Sequence, residues 1–348
     1  MVEHKKYIQR CIDLASLGMG TVSPNPMVGA VVVMDTIIAG EGYHHKYGEA
    51  HAEVNAIEQV ITKFSDSAEL LNQSTLYVSL EPCAHYGKTP PCADLIIKHK
   101  IPKVVVGCRD PFEQAHGNGI EKLREAGVEV TTGVLEKECQ WLNRRFFTRI
   151  QKHRPYIILK WAQTADGFFA PDNNCQHWIT GLESRKLVHQ WRSEEDAVLV
   201  GKNTAAIDNP QLNVRHGYGR APKRIVIDRR LELNKTLNIF DQSAETLIFN
   251  EVKTDMDGKN KYISLEDFDR YVPQYILYQL YLQDIQSVII EGGASTLTTF
   301  IEAGLWDEAR IFTGETYLKK GIRAPMITCE NSGEFAIGRD KLRILVNN

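Results

Sequence analysis

Short apolar runs that read as strands alternate with helix-spaced segments along the whole chain, and they do so twice, on either side of a polar stretch at Gln151–Pro155. Such alternation predicts sheets covered by helices. In the first half, a helix over Tyr7–Ala15 leads through the GMGTVSPNP loop to a strand at Val28–Met34 and a second strand near Ile37–Gly42. A helix at His51–Lys63, a strand at Leu76–Leu80, a helix at Cys92–Lys100 and a strand at Lys103–Gly107 follow. Helix Gly119–Ala126, strand Val128–Thr131 and one long helix, Leu135–Arg149, complete that half. Pro155 restricts the residue before it, so the boundary falls near residue 152 and a new strand starts at Tyr156. The second half continues with helix Glu183–Arg192 and strands Ala197–Gly201, Arg224–Asp228 and Thr246–Asn250. Helix Pro273–Leu282, strand Ser287–Glu291, helix Ser295–Ala303 and further strands follow. The expectation is two α/β domains, 1–150 and 151–348.

Composition narrows the class. The 348 residues are 43% hydrophobic and 24% charged, and 41 basic groups face 44 acidic ones, a net charge of −3 that excludes a disordered or collagen-like chain. Residues 1–150 carry 16 basic and 18 acidic groups and residues 151–348 carry 25 and 26, so neither half is a basic arm for a long nucleic acid. The apolar run Val28–Met34 is far short of the ~20 residues that span a bilayer. The first residues carry Glu3, Lys5, Lys6, Arg10 and Asp13 without an apolar h-region, which predicts a cytoplasmic protein. Seven cysteines, Cys11, Cys83, Cys92, Cys108, Cys139, Cys175 and Cys329, form an odd and scattered set, which argues for reduced thiols with metal-binding members.

Two of those thiols have a context. His51-Ala52-Glu53 opens one helix, and Pro82-Cys83 and Pro91-Cys92 lie between the next strand and helix. One imidazole and two thiolates suit zinc, and three protein ligands leave a fourth tetrahedral position for water. Glu53, two residues past the histidine, is placed to take a proton from that water. The other five cysteines read as packing residues. In the second half no GxGxxG is present, and the glycine-rich signal is Glu291-Gly292-Gly293-Ala294-Ser295-Thr296-Leu297 between a strand and a helix, where backbone amides can hold phosphate.

HAE followed by PC and a second Cys resembles the zinc-dependent cytidine-type deaminases, with a longer spacer of eight residues between the cysteines. With PNPMVGAVVV, GYHHKYGEAHAE and SLEPCAHYGKTPPC, the first half resembles the deaminase domain of the bifunctional RibD family of riboflavin biosynthesis. RPYIILKWAQTADG, WITG, VHQWR, GKNTAAIDNPQLNVR and IEGGASTL resemble that family's reductase domain, similar in fold to dihydrofolate reductase. The resemblance implies two activities. The first is hydrolytic deamination of a diaminopyrimidinone ribosylamino 5′-phosphate, with one Zn2+. The second is NADPH reduction of the ribosyl group to ribityl.

It further implies His51, Cys83 and Cys92 as zinc ligands and Glu53 as the proton shuttle. Asn25, His44, His85 and Lys88 correspond to pyrimidine and phosphate contacts. In the reductase half, His177, Arg192, Leu212, Arg215 and Glu291 correspond to substrate contacts, with the two arginines suited to a bidentate grip on phosphate. Gln163, Ile179, Thr204 and Asp208, with Gly292, Gly293, Ala294, Ser295 and Thr296, correspond to cofactor contacts. Arg229 and Arg230, after a strand, are candidates for reading the 2′-phosphate of NADPH.

Two positions depart from the family pattern: Phe168 stands where a basic residue is frequent, and His177 where Lys or Gln is usual. No residue is marked by type and spacing as an acid or base for the hydride step, which leaves positioning of the nicotinamide against the ring-opened imine as the main device. A small phosphorylated pyrimidine, no nucleic acid, no membrane and a homo-oligomer, dimer or tetramer, complete the expectation. A tRNA-type base deaminase would instead show a tighter cysteine spacing, a basic surface and no second domain. A zinc-stabilised nucleotide-binding module without catalysis would tolerate loss of Glu53.

Overall fold

A computed structural model describes residues 2–86, 90–112, 119–173, 176–215, 219–329 and 332–347. The chain divides into two compact units, Met1–Lys152 and His153–Asn348.

The first unit is built on one sheet in the order β2 (Ile37–Tyr43), β1 (Gly29–Met34), β3 (Thr75–Leu80), β4 (Lys103–Cys108), β5 (Glu129–Thr132). β1 runs antiparallel to both neighbours, and β3, β4 and β5 are parallel. Alternate residues serve opposite faces. Ala30, Val32, Leu76, Val78, Val104 and Val106 pack under α2 (Ala52–Lys63), α4 (Cys92–Lys98) and α5 (Gly119–Glu125), with Ile57, Ile96 and Leu123 among the partners. Val31, Val33, Tyr77 and Val105 pack against α1 (Val2–Ser16), through Ile8, Cys11 and Leu14, and against Cys139. Burial on both faces explains why these strands read as unbroken apolar runs.

Gly42 sets where the site forms. A Cβ there would lie 2.6 Å from the Asn55 Cβ and 2.8 Å from the Ala52 carbonyl, so only glycine lets the start of α2 press onto the end of β2. Asn55 Nδ2 then donates to the Tyr43 carbonyl at 2.8 Å and holds that junction.

Three features of this unit differ from expectation. A short helix, α3 (Ser67–Leu71), occupies a stretch for which no element was expected. The helix expected over Leu135–Arg149 is two, α6 (Glu136–Leu142) and α7 (Arg144–Lys152). They are separated at Asn143, whose φ of −95° and ψ of 19° leave the helical range, and Leu135 is a left-handed N-cap with φ 53°. Gln151 and Lys152, expected in a linker, complete α7.

The second unit carries ten strands in the order β11 (Asp255–Asp257), β12 (Asn260–Ser264), β10 (Thr246–Asn250), β9 (Lys223–Ile227), β8 (Ala197–Gly201), β13 (Ser287–Ile290), β6 (Tyr156–Gln163), β14 (Glu308–Thr313), β17 (Asp340–Val346), β16 (Ser332–Ile337). From β12 to β14 the pairing is parallel, and it turns antiparallel at both edges. Leu159, Leu199, Ile225, Leu247 and Ile290 pack with α10 (Val272–Tyr281) and α11 (Ala294–Glu302). Ile158, Val198, Val200, Val226 and Ile289 face α8 (Leu182–Glu194) and α9 (Lys202–Asp208) through Val188, Trp191 and Ala205. β7 (Phe168–Ala170) and β15 (Ile322–Arg323) form a separate two-stranded ribbon. The adjacent parallel strands β8 and β13 both end in glycine turns that open a helix, and outside such strand ends α/β sheets bind ligands.

Candidate active sites

In the first unit the ends of three elements converge. His51 is the N-cap of α2, in extended conformation and making no side-chain cap, so its imidazole is available to turn elsewhere. Pro91 holds the N-cap of α4 and makes Cys92 the first helical residue. Cys83 follows β3, where its Sγ accepts the Cys92 N–H at 3.3 Å and its carbonyl accepts the Ala93 N–H at 3.1 Å. The result is one group of ligand atoms, the sole such group among the described residues, all within 4.8 Å of one another. His51 Nδ1 lies 3.3 Å from Cys92 Sγ and 3.6 Å from Cys83 Sγ. Tetrahedral zinc sets nitrogen and sulfur ligands about 3.6 Å apart, so the donor set and its spacing fit that ion. Cys83 is held down to about 4, by the Cys92 thiol and by His51, while Cys92 is pushed up by its hydrogen bond with Cys83 and by burial. The pair thus shares one negative charge, and a bound dication favours the second thiolate as well.

Glu53 is 3% exposed, in the first turn of α2 and within hydrogen-bond reach of the Cys92 thiol. Burial pushes its carboxyl up to about 7, against the pull of His51. His44 is buried, next to His51. Its Nδ1 donates to the Ala50 carbonyl at 3.0 Å, which leaves Nε2 to accept from Asn25 Nδ2 at 3.1 Å. This fixes the tautomer, and burial lowers the His44 pKa so that the ring stays neutral. The ring meets that of His51 edge-on at 5.4 Å. Asn25 thus meets His44, and His44 meets the zinc-ligand candidate His51. His85 faces the Phe112 ring at 6.2 Å. Lys88 lies outside the described residues.

Two acids escaped the sequence reading. Glu81, 5% exposed, accepts the N–H groups of Asp110 at 3.3 Å and Ile120 at 3.1 Å, and so braces the chain after β4 against the start of α5. Burial pushes the Asp110 carboxyl up to about 6, with Glu81 raising it further and His85 opposing. The signal available was an acid immediately before a proline-cysteine pair at a strand end.

In the second unit Arg192 is engaged within the protein. Its Nε and Nη2 donate to the two oxygens of Glu291 at 2.7 and 2.8 Å, so the forked edge is already taken by a carboxylate. Lys160, unnoticed in the sequence because it interrupts an apolar strand, reaches the same carboxylate at 3.5 Å. All three side chains are largely buried, and the two cations hold Glu291 down to about 2 against its desolvation. Arg192 Nη1 also donates to the Asn213 carbonyl at 3.3 Å. That bond draws in the segment with Leu212 and Arg215. Leu212 is buried with φ 51°, a left-handed conformation costing a branched L-residue roughly 1–2 kcal/mol. The Arg215 side chain is exposed and has no ion pair among the described residues. His177 is exposed in the loop before α8.

The glycine turn gathers the expected cofactor residues. A Cβ on Gly292 would lie 2.7 Å from Val200 Cα, and one on Gly201 would lie 2.4 Å from Thr296 Oγ1. Gly293, at φ +70°, sits so that its Cβ would be 3.4 Å from Thr204 Oγ1 and 3.7 Å from Thr296 Oγ1. Thr204, Gly292, Gly293 and Thr296 are thus one cluster, and Ala294 and Ser295 open α11 directly from it. Asp208 ends α9, with its carboxyl raised by burial. Gln163 and Ile179 meet around Gly314, whose N–H donates to the Gln163 carbonyl at 2.9 Å and whose Cβ would lie 2.4 Å from the Ile179 carbonyl. Arg229 is engaged by Glu251 and Asp269, both at 2.7 Å, and is not free for a phosphate; Arg230 is 70% exposed with only a 3.7 Å approach to Glu251. Phe168 is buried, and the Arg323 guanidinium lies 4.2 Å above its ring.

Comparison with known proteins matches both halves. Residues 1–108 match the cytidine and deoxycytidylate deaminase zinc-binding region, and residues 155–318 the RibD C-terminal domain. The chain is 41% identical over 322 residues to riboflavin biosynthesis protein RibD of Aquifex aeolicus, covering 91% of this chain and 88% of that one. It is 33% identical over 341 residues to RibD of Escherichia coli, covering 92% and 90%. Among solved structures, the diaminohydroxyphosphoribosylaminopyrimidine deaminase/5-amino-6-(5-phosphoribosylamino)uracil reductase from Thermotoga maritima superposes with a TM-score of 0.89 at 37% identity, over 100% of this chain and 99% of that one. RibD of Acinetobacter baumannii gives 0.88 at 32% identity, over 100% and 99%. With a deaminase zinc site in one unit and a reductase unit after it, the chain belongs to the RibD family of riboflavin-biosynthesis proteins.

Proposed function

We infer that the chain performs two consecutive steps: hydrolytic deamination of a diaminopyrimidinone ribosylamino 5′-phosphate, then NADPH-dependent reduction of its ribosyl group to ribityl. The observation that carries this reading is the buried Glu53 beside the His51, Cys83 and Cys92 atoms, with a second, separate polar cluster around Glu291 in the reductase unit.

Zinc, when bound by His51, Cys83 and Cys92, supplies a Lewis acid that makes water a nucleophile near neutral pH. Glu53 moves the protons: its carboxylate accepts one from water and returns it to the departing amine at the same oxygen. Asn25 and the neutral His44 orient the pyrimidine ring by directed hydrogen bonds. His85 and Lys88 serve the phosphate end. In the reductase unit the Gly292–Thr296 turn, Thr204 and Asp208, with Gln163 and Ile179, line the cofactor. Glu291, kept ionised, organises Lys160 and Arg192 as a fixed polar wall for the ribosyl chain. Arg215, with Leu212 and His177, lies at the sugar phosphate, and Arg230 is the cation left for the cofactor 2′-phosphate. The domains of this reading are 1–150 and 151–348. A cytoplasmic location is part of the same proposal. Among the described residues no helix is long and apolar enough to cross a membrane. A homo-oligomer, dimer or tetramer, is the assembly to test by light scattering.

Incubation of the protein with the diaminopyrimidine phosphate, with and without NADPH, tests the sequence of steps. Ammonia should appear in both cases and NADPH should be consumed only after ammonia release. NADPH consumption ahead of ammonia would reverse the order.

Arg192→Met tests the Glu291 cluster. Glu291 titrates at about 2, below its ordinary range, so its favourable contribution is present above pH ~4.5 and is lost as pH falls through about 2. Without Arg192 only Lys160 opposes burial, and the carboxyl rises. Loss of the charged contact to the ribosyl chain should lower reductase kcat/KM about 10- to 100-fold, and its pH profile should gain an acid limb. Deamination should be unchanged. A reductase pH profile identical to wild type would remove Glu291 from the reaction.

A further inference from the structure

We propose that Asn143, at the junction of α6 and α7, is a positioning residue for deamination that holds the Asn25 loop against His44. The proposal rests on reading the Asn25 and His44 pair as the ring-orienting part of the site.

Asn143 is 2% exposed and spends its side chain on one residue, 116 positions away. Its Oδ1 accepts the Met27 N–H at 2.8 Å and its Nδ2 donates to the Met27 carbonyl at 2.8 Å, the two-bond pairing that a neighbouring strand would otherwise give. Met27 is itself buried, against Ala15 and Val22. The residues around Met27 are the ones that hold His44. Asn25, two before it, donates to His44 Nε2, and the Val28 carbonyl, one after it, accepts the His44 backbone N–H at 3.0 Å. One clamp therefore fixes both the side-chain and the main-chain contact of His44. No β pairing begins before Gly29, so Met27 lies outside the sheet's own register.

Asn143 is in turn held by the backbone: its N–H donates to the Cys139 carbonyl at 3.2 Å and its carbonyl accepts from Phe147 at 2.9 Å. The pair of contacts demands an amide. Aspartate offers two acceptors and would face the Met27 carbonyl with like charge, and leucine offers neither bond. The zinc ligands and Glu53 are placed by other elements, the starts of α2 and α4 and the end of β3. The clamp thus governs how the ring is held and leaves the metal and the proton shuttle in place.

The test uses the full chain with Asn143→Asp, Asn143→Leu and Asn25→Ala, singly and with the aspartate and alanine changes combined. Each single change should raise the deaminase KM about tenfold or more while kcat changes less than about threefold. Zinc content should stay at one per chain and reductase kinetics at wild type. Because Asn143 acts through the Asn25 loop, Asn143→Asp should add less than about twofold in the Asn25→Ala background. Fully multiplicative losses, or joint loss of zinc and of both activities in Asn143→Asp, would overturn the proposal in favour of a general folding role. If Asn143→Leu does not fold, the aspartate variant and its cycle decide the matter alone. If Asn25→Ala raises KM and the Asn143 variants do not, this inference fails and the ring-binding reading stands. If Asn25→Ala leaves KM unchanged, the ring-binding reading fails and takes the inference with it.

Discussion

Glu53→Gln should reduce ammonia release by about 10³-fold or more, toward the upper end of what a positioned proton carrier contributes, while the protein keeps one zinc per chain. The expectation follows from placement. Glu53 is not a member of the His51, Cys83 and Cys92 group, so the amide removes no ligand. It is isosteric, so the side chain, 3% exposed, stays packed under the sheet and no cavity opens. What is lost is the ability to take and return a proton. The Cys92 thiol is the neighbour that Glu53 reaches, and an amide can hydrogen-bond there as well, which protects the metal site from collateral loss. The second unit has its own core and its own polar cluster, so reduction of already deaminated substrate should proceed at the wild-type rate. Elemental analysis, an ammonia assay and NADPH consumption measured on one preparation settle the matter. Ammonia release at the wild-type rate would exclude Glu53 as the shuttle.

What was legible in the sequence follows from which contacts are local. Val104–Val106 and Val198–Val200 are buried on both faces of their sheets, so each strand announces itself as an apolar run. His51, Cys83 and Cys92 are legible for a different reason: zinc selects the residue types, and the proline before each cysteine marks the end of a strand or the start of a helix. The errors cluster where a partner lies far away in sequence. Helical spacing continues through Asn143, and nothing nearby breaks it; the break belongs with a contact to Met27, 116 residues back. Arg192 reads as a phosphate ligand until Glu291, 99 positions on, takes its forked edge. Arg229 is likewise committed to Glu251 and Asp269, 22 and 40 positions away. Lys160 had the clearest unread signal, a lone cation between the buried Leu159 and Trp161 of its strand. A charge in such a strand is costly unless paired, and that cost is itself a pointer to a partner or a site.

Gly292→Ala should weaken NADPH binding by the second unit about 100-fold or more and leave deamination at the wild-type level. The methyl group would be placed 2.7 Å from both Cα and Cβ of Val200, on β8, the neighbouring strand of the sheet. Neither atom is the end of a flexible chain, and Val200 is 1% exposed in the core under α8 and α9, so it cannot withdraw. The turn must move instead, and with it Gly293, whose left-handed φ of +70° already leaves little freedom. Overpacking of this kind costs typically about 1–3 kcal/mol when spread through a core. Here the strain falls on a short turn that opens α11 and faces Thr204 and Thr296, so displacement of the cofactor contacts is the cheapest release. A loss of at least about 100-fold in NADPH affinity is expected, which corresponds to about 2.7 kcal/mol. Fluorescence titration with NADPH reads that loss directly, and ammonia release from the same sample is the internal control, because the deaminase residues belong to the other unit. The neighbouring Gly201→Ala should be milder, since its closest atom, Thr296 Oγ1 at 2.4 Å, belongs to a side chain that can rotate away. NADPH affinity unchanged in Gly292→Ala would place the cofactor elsewhere than the turn between β13 and α11, and equal losses in the two variants would show that side-chain relief does not operate there.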